Sequence, residues 1–190
     1  MSDLTFYFDP LCPWTWRTSA WIREVQRQQP LEVEWKFFSL GLNNNAPEET
    51  LAHLRTCVLA RRIGGNQAVH SLYAALGQAT HEQGIKPWEG DVWKSVFPKA
   101  LAEAGLSPDL FEAAQADPST LDDLKAEHQA AVDKYKTYGV PWLVPGNQDF
   151  GFSGPIISEV PQGQTAQDLW KHFSWLISQP YLYEVKRSRG

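Results

Sequence analysis

The order of strand-like and helix-like segments is the feature that most restricts how this chain can fold. The segments LTFYFDP (residues 4–10) and LEVEWKFFSL (residues 31–40) carry alternating apolar residues, so both are predicted strands. Between them, Pro13 to about Gln28 lacks glycine and has helical spacing, with proline in the first turn. Two strands joined through one helix normally lie parallel with a right-handed crossover.

The middle of the chain has the pattern of several helices. Apolar residues recur at helical spacing in three groups, within 51–59, 69–76 and 93–104. Gly105 is expected to end the third helix, and Ser107 with Pro108 to begin another as N-cap and first helical residue. A further helix is predicted over about 119–138.

The last part of the chain returns to short strands. GVPWLV and FGFSGPII are apolar and bounded by proline and glycine, and the turn residues NQD lie between them. Thr165 with Asp168 predicts the capping box of a final helix. The whole pattern predicts an α/β fold, with residues 1–45 and 139–190 in one domain and residues 46–138 as an all-helical insertion.

Charge and composition argue against several classes of partner. The net charge is −5 and there is no concentrated basic face, so nucleic acid is not an expected partner. The basic end, with Lys186, Arg187 and Arg189, is interpreted as a solvated tail. We see neither a leader-like start nor an apolar run of about 18 residues, and therefore expect a cytoplasmic protein without a membrane span. Five scattered histidines and two cysteines do not indicate a metal site.

Cys12 is the residue most capable of chemistry. It is predicted to lie where the first strand ends and the helix begins, and there the N–H groups and the helix dipole favour a thiolate. Thr15 lies three residues further on, and its hydroxyl is expected near the sulfur. Because position 15 is not cysteine, no disulfide closes inside this segment, and a redox cycle needs an outside thiol.

Two other interpretations of the cysteines stay open. A lone cysteine is often buried and inert. Cys57 lies among apolar residues of a predicted helix and is interpreted as structural, and it can resolve Cys12 only if their Cα atoms lie within about 7 Å.

Four segments together resemble a known family, namely FDPLCPWTW, YGVPWLV, FGFSGP and the terminal YEVKRSR. They are similar to thioredoxin-fold proteins of the DsbA type, most of all to the mycothiol-dependent nitroreductase branch, which carries Cys-Pro-Trp-Cys. The resemblance implies a thioredoxin fold with an inserted helical domain. It makes Cys12 the nucleophile and places Thr15 where the second cysteine is expected. It also implies a cis Pro141 facing the sulfur, with the Val140 backbone free to pair with an extended thiol substrate.

These residues support three functional hypotheses. The first is a cytoplasmic oxidoreductase in which Cys12 attacks a disulfide or small electrophile, and mycothiol, bacillithiol or glutathione resolves the adduct. No bound cofactor is expected. The second resembles kappa glutathione transferases and chromene-carboxylate isomerases, in which the residue at the Cys12 position holds a thiol without a covalent bond. The third is a degenerate binding module. Expected substrate-binding residues are Pro13, Trp14, Val140, Pro141 and Trp142, with Trp16 as a further aromatic neighbour. The oligomeric state is not indicated.

Overall fold

The computed structural model describes residues 2–86, 89 and 92–188. Its sheet has four strands in the order β2-β1-β3-β4, namely β1 (Leu4–Phe8), β2 (Val33–Phe37), β3 (Trp142–Pro145) and β4 (Phe152–Ser153). Strands β1 and β2 pair in parallel, whereas β3 pairs antiparallel with both β1 and β4. The parallel pair predicted for the start of the chain is therefore confirmed.

Seven α-helices occur in the described residues, and five of them lie between β2 and β3 in the chain. They are α1 (Pro13–Gln28), α2 (Leu40–Asn43), α3 (Ala52–Gly77), α4 (Trp93–Glu103), α5 (Leu110–Ala116), α6 (Ser119–Tyr135) and α7 (Gly163–Ile177). A 3-10 turn (Glu48–Leu51) precedes α3, and a π-helical turn (Gln78–Glu82) follows it. Helix α3 is interrupted at Gly64 and Gly65, where Gly65 has φ +64°.

Two predicted helix ends differ in the structure. Helix α5 begins at Leu110 and not at Pro108, because Ser107 first closes a turn by accepting the Leu110 N–H on its carbonyl oxygen. Helix α6 ends at Tyr135, since Lys136 adopts a left-handed conformation with φ +55°. The predicted end of α4 is confirmed, because Gly105 has φ +74° and follows its last turn.

The predicted capping box of α7 is also wrong. The helix begins at Gly163, so Thr165 lies inside it, and Asp168 accepts a hydrogen bond from Gln164 at 2.9 Å. The Gly163 N–H instead donates to the Glu24 carboxylate of α1 at 3.0 Å. A side chain from another helix thus stabilises the start of α7, which local sequence does not reveal.

The two faces of the sheet contact different helices, because successive strand residues point to opposite faces. One face carries Phe6, Phe8, Trp35 and Leu143 in a large core that also includes residues of α1, α3, α4, α5 and α7. Tyr7, Trp142 and Val144 on the other face form a smaller cluster with Ala131 of α6. The large core runs without a break from the sheet into the inserted helices.

The insertion also covers the outer edge of β2. Three outward N–H groups along this edge find side-chain acceptors: Trp35 donates to Asn66 at 2.9 Å, Phe37 to Glu127 at 2.6 Å, and Ser39 to His128 at 3.3 Å. An edge strand with unpaired N–H groups is open to pairing with another chain. Here helices α3 and α6 supply the missing partners, which joins the insertion to the sheet through hydrogen bonds as well as through apolar packing.

Candidate active site

Cys12 is the N-cap residue of α1, directly after the loop that follows β1. Its backbone is extended (φ −83°, ψ 114°), Pro13 occupies the first helical position, and the Trp16 N–H donates to the Cys12 carbonyl at 3.0 Å. The side chain is 6% exposed. The sulfur therefore lies at the positive end of a helix of 16 residues, the position at which a negative charge is stabilised.

The structure brings Cys12 next to the Gly-Val-Pro segment, 128 residues away in the chain. The Cys12 thiol contacts the Val140 carbonyl oxygen at 3.9 Å, and the Val140–Pro141 peptide bond is cis. The Gly154 N–H donates to the Pro141 carbonyl at 2.9 Å, which ties this segment to the end of β4. Cys12, Val140 and Pro141 thus form one cluster, and the cis bond agrees with what the resemblance implies.

The three tryptophans expected around the sulfur occupy different environments. Trp14 is half-buried in the first turn of α1, with the Arg17 guanidinium 5.0 Å from its ring centre. Trp16 is buried between α1 and the insertion. Its ring meets Tyr73 edge-on, and a Cβ atom on Gly77 would lie 2.1 Å from it. Trp16 is therefore a packing residue.

Trp142 follows Pro141 directly, but its indole belongs to the smaller core cluster on the α6 side of the sheet. The ring meets Tyr138 edge-on at 5.5 Å, and its buried Nε1 has no hydrogen-bond partner among the described residues. A Cβ atom on Gly151 would lie 2.0 Å from Nε1, so only glycine fits there. Trp142 contributes to the region of Cys12 chiefly through its backbone.

Thr15 is fully buried in the first turn of α1. Its hydroxyl forms no hydrogen bond within the described part of the chain, and this includes the Cys12 sulfur. A buried hydroxyl without an acceptor costs about 1–3 kcal/mol. Thr15, which stands where the Cys-Pro-Trp-Cys motif has its second cysteine, therefore holds an unused hydrogen-bond donor one helical turn after Cys12.

A buried pair that the sequence analysis missed supports the loop before Cys12. Asp9 Oδ1 lies 3.0 Å from His53 Nε2 and also accepts the Leu11 N–H at 3.0 Å, while Oδ2 accepts the Leu40 N–H at 2.9 Å. Burial raises the pKa of Asp9, but the attraction of His53 and these hydrogen bonds outweigh it and hold the pKa below its usual range. The Cys12 N–H donates to the Asp9 carbonyl at 3.1 Å, so Asp9 fixes this loop through both side chain and backbone.

A second histidine of the insertion reaches the same loop. His81 lies in the π-helical turn after α3, and its Nε2 is 2.8 Å from the Pro10 carbonyl oxygen. Because a carbonyl only accepts, Nε2 must carry the proton. Burial lowers the pKa of His81, with the nearby Arg17 charge acting in the same direction. Short π-helical turns are frequent at functional sites, but this turn is visible only in the structure, and the sequence analysis did not single out His81.

Cys57 is fully buried in α3, and both cysteines are free thiols. Burial, and then the nearby negative charge of Asp9, raise the pKa of the Cys57 thiol. Such a thiol is a poor nucleophile. Its interpretation as a structural cysteine is consistent with this environment.

The remaining expectations concern the tail, metals and membranes. Lys186 and Arg187 are exposed, whereas Arg189 lies outside the described residues. In the part of the chain that the structure describes, no three His, Cys, Asp or Glu side chains converge on a point that could hold a metal ion. No helix among these same residues combines the length and apolar character needed to cross a bilayer.

Comparison with known proteins gives this geometry a context. The family model Rv2466c-like, mycothiol-dependent nitroreductase Rv2466c, matches residues 11–187. The uncharacterized protein Rv2286c of Mycobacterium tuberculosis (strain ATCC 25618 / H37Rv) is 33% identical over 200 residues, which cover 100% of this chain and 84% of that protein.

Two solved structures resemble the chain in fold. The probable DsbA oxidoreductase SCO1869 from Streptomyces coelicolor has a TM-score of 0.62 at 15% identity, covering 99% of this chain and 94% of that one. A 2-hydroxychromene-2-carboxylate isomerase has a TM-score of 0.63 at 16% identity, covering 90% and 93%. The predicted thioredoxin fold with a helical insertion is confirmed, and the family match supports a function of the thiol-disulfide oxidoreductase type.

Proposed function

Because this chain belongs to the Rv2466c-like family, we propose that it is a thiol-dependent oxidoreductase that works through one cysteine, Cys12, with a low-molecular-weight thiol as cosubstrate. The observation that carries the proposal is the position of Cys12, at the N-terminus of α1 and 3.9 Å from the carbonyl beside the cis Pro141. Mycothiol is the first candidate thiol from the family, with bacillithiol and glutathione as alternatives. We place the reaction in the cytoplasm, where such thiols are abundant and both cysteines stay reduced.

The proposed cycle consists of two thiol–disulfide exchanges. The Cys12 thiolate attacks a disulfide RS–SR′, forms Cys12–S–SR and releases R′S⁻. A second small thiolate then attacks the SR sulfur of Cys12–S–SR. This exchange releases a disulfide of the small thiol with RS and restores the Cys12 thiolate. Each exchange breaks one S–S bond and forms another. For a small electrophile in place of the disulfide, two thiols become one disulfide, and the two electrons and two protons that they release reduce the electrophile.

The residues around Cys12 have separable roles in this proposal. Thr15, whose buried hydroxyl has no acceptor, donates to the thiolate once the Cys12 proton has left. The Val140 backbone, which contacts the thiol in the resting protein, pairs with the incoming thiol compound. Pro13, Pro141 and the Trp142 backbone shape the approach, and the half-buried Trp14 ring offers an apolar face.

The test is to trap the mixed disulfide. The protein is incubated with the disulfides of mycothiol, bacillithiol and glutathione in turn, and its intact mass is measured before and after addition of the matching thiol. We expect one adduct in the native protein and in Cys57→Ala, and none in Cys12→Ser. An adduct that persists in Cys12→Ser, or turnover that survives this substitution, contradicts the single-cysteine mechanism.

A second function is favoured by one specific observation, the buried threonine hydroxyl in place of a resolving cysteine. In an isomerase-like or transferase-like enzyme, Cys12 and Thr15 hold a thiol cosubstrate without a covalent bond. This alternative predicts saturable thiol binding and catalysis that survive Cys12→Ser, because a serine hydroxyl also hydrogen-bonds a thiolate. A degenerate binding module predicts neither an adduct nor turnover with any of the three thiols.

A further inference from the structure

Arg17 places a positive charge beside the first turn of α1. It lies in the second turn, five residues after Cys12, and its guanidinium carbon is 5.0 Å from the centre of the Trp14 ring. Side chains on a helix lean towards its N-terminus, so the guanidinium is carried back from the Arg17 backbone to the level of Trp14. The charge therefore lies beside the turn that directly follows Cys12.

The same charge also lies near the loop before Cys12. His81 Nε2 is 2.8 Å from the Pro10 carbonyl oxygen. Burial, and after it the nearby charge of Arg17, lower the pKa of His81. Because the ordinary pKa of histidine is about 6.5, the His81 ring is uncharged at pH 7 and does not add to the charge of Arg17. Arg17 is thus close to the chain on both sides of Cys12.

The protein does not use the hydrogen-bonding groups of the Arg17 guanidinium. Within the described part of the chain, this side chain forms neither a hydrogen bond nor a salt bridge. By contrast, Arg27, Arg61 and Arg62 pair with carboxylates, and Arg55 donates to backbone carbonyls at 3.0 and 3.1 Å. Arg17 is only half-buried, so its N–H groups are accessible to a compound that approaches from solvent.

Two carboxylates lie near His81, but neither neutralises Arg17. Asp9 and Glu82 both act on the His81 ring. The Asp9 carboxylate is buried and lies 3.0 Å from His53. Glu82 is exposed and forms no salt bridge with Arg17, so solvent and salt weaken its attraction. The surface beside the sulfur therefore combines an unpaired guanidinium with the positive end of α1.

We propose, on the basis of the function proposed above, that Arg17 is a specificity-determining residue that pairs with a carboxylate of the compound that reacts with Cys12. A guanidinium and a carboxylate match in shape and can form two parallel hydrogen bonds. The Trp14 ring, over which the guanidinium lies, keeps it oriented. The carboxylate belongs either to the disulfide that Cys12 attacks or to the thiol that resolves the adduct, and the two half reactions separate these sources.

The first half reaction is tested with the disulfides of N-acetylcysteine and of N-acetylcysteine amide, which differ only in carboxylate against neutral amide. Formation of the Cys12 adduct is followed by intact mass, and each rate is divided by the rate at which 2-mercaptoethanol cleaves the same disulfide. A carboxylate on the attacked disulfide should raise the normalised rate about threefold or more over the amide, the size expected of an ion pair at a partly exposed site.

The second half reaction starts from the adduct formed with the amide disulfide. N-acetylcysteine or its amide then releases the adduct, and each rate is divided by the rate at which the same thiol cleaves the disulfide of 2-mercaptoethanol. A preference for the acid in this step assigns the carboxylate to the resolving thiol, whereas a preference in the first step assigns it to the attacked disulfide. Equal normalised rates for acid and amide in both steps overturn the proposal without reference to any variant.

Two matched variants show whether Arg17 causes the preference. Arg17→Met keeps an apolar side chain over Trp14 and should reduce the ratio of acid to amide rates to about one, since the ion pair is lost. Arg27→Met on the same helix should change that ratio by less than about twofold, because Glu24 already neutralises Arg27. An equal loss in both variants indicates general electrostatics and overturns the proposal.

Two further outcomes separate this role of Arg17 from the function on which it depends. Iodoacetamide is neutral, so its rate of alkylation measures the Cys12 sulfur alone. If Arg17→Met slows iodoacetamide as much as it slows the acid, Arg17 acts on the sulfur and not on a carboxylate, which overturns the proposal. Adducts that form equally fast from acid and amide and are released equally fast by both thiols leave the single-cysteine function intact, whereas no adduct from either disulfide refutes that function and the role of Arg17 with it.

Discussion

The Asp9 carboxylate should be among the most important single groups for the stability of this protein. In Asp9→Asn, the remaining oxygen is best placed at the Oδ1 position, where it keeps the Leu11 N–H and His53 as partners. The new NH₂ group then faces the Leu40 N–H, which leaves that buried donor unpaired at a cost of about 1–3 kcal/mol. The two retained hydrogen bonds lose their charged acceptor, at roughly 1 kcal/mol each. We expect a total destabilisation of about 3–5 kcal/mol, a large share of a typical stability.

Urea unfolding at pH 7 measures this change, with Asp149→Asn as the control. Asp149 is exposed in the turn before β4, so its substitution should cost less than about 0.5 kcal/mol. Because the folded protein holds the pKa of Asp9 below its usual range, the stabilisation is complete above the unfolded value of about 3.9. It is lost as the pH falls through the lower folded value. The difference between native protein and Asp9→Asn should therefore be constant from about pH 5 to 7 and shrink in acid. A cost below about 1 kcal/mol, or a difference that grows in acid, refutes this reasoning.

Two further predictions concern how the insertion joins the sheet domain. Gly77→Ala should destabilise the protein by about 1–3 kcal/mol in urea unfolding, because its Cβ would lie 2.1 Å from the Trp16 ring. Gly139→Ala, where a Cβ meets nothing within 4 Å, is the matched control and should be nearly neutral. Asn66→Ala removes both the acceptor of the Trp35 N–H and a donor to the Val33 carbonyl, so amide hydrogen exchange at Trp35 should become faster. Gln67→Ala on the same helix should leave that exchange unchanged, and similar rates in all three proteins would show that Asn66 does not protect the strand edge.

The parts of the fold that depend on local sequence were predictable. Helix α1 was placed correctly at both ends, because Pro13 suits a first helical position and the following residues contain no glycine. The start of α7 was not predictable, since the Gly163 N–H donates to the carboxylate of Glu24, which lies 139 positions earlier in helix α1. Local capping rules consider only nearby residues, so they selected Thr165 instead.

The candidate site likewise combines features that local sequence predicts with features that it does not. The place of Cys12 at a helix N-terminus follows from the strand, the proline and the helix around it. Its proximity to Val140 followed only from the family resemblance, because no spacing rule links residues 128 positions apart. Asp9 was interpreted only as the end of a strand, and nothing near it in the sequence indicates that its partner is His53 on α3.

The helical insertion contributes directly to the candidate active site and is not merely an addition to a thioredoxin domain. Of the three residues before Cys12, Asp9 is held by His53 and Pro10 by His81, and both histidines come from the insertion. Trp16, one turn into α1, packs against Tyr73 and Gly77 of the same insertion. A minimal thioredoxin-like half without these helices would lose the hydrogen bonds that fix the loop and would expose the apolar face of the sheet. The position of the Cys12 sulfur relative to Val140 therefore depends on residues that belong to neither strand nor helix of the β-α-β unit that carries it.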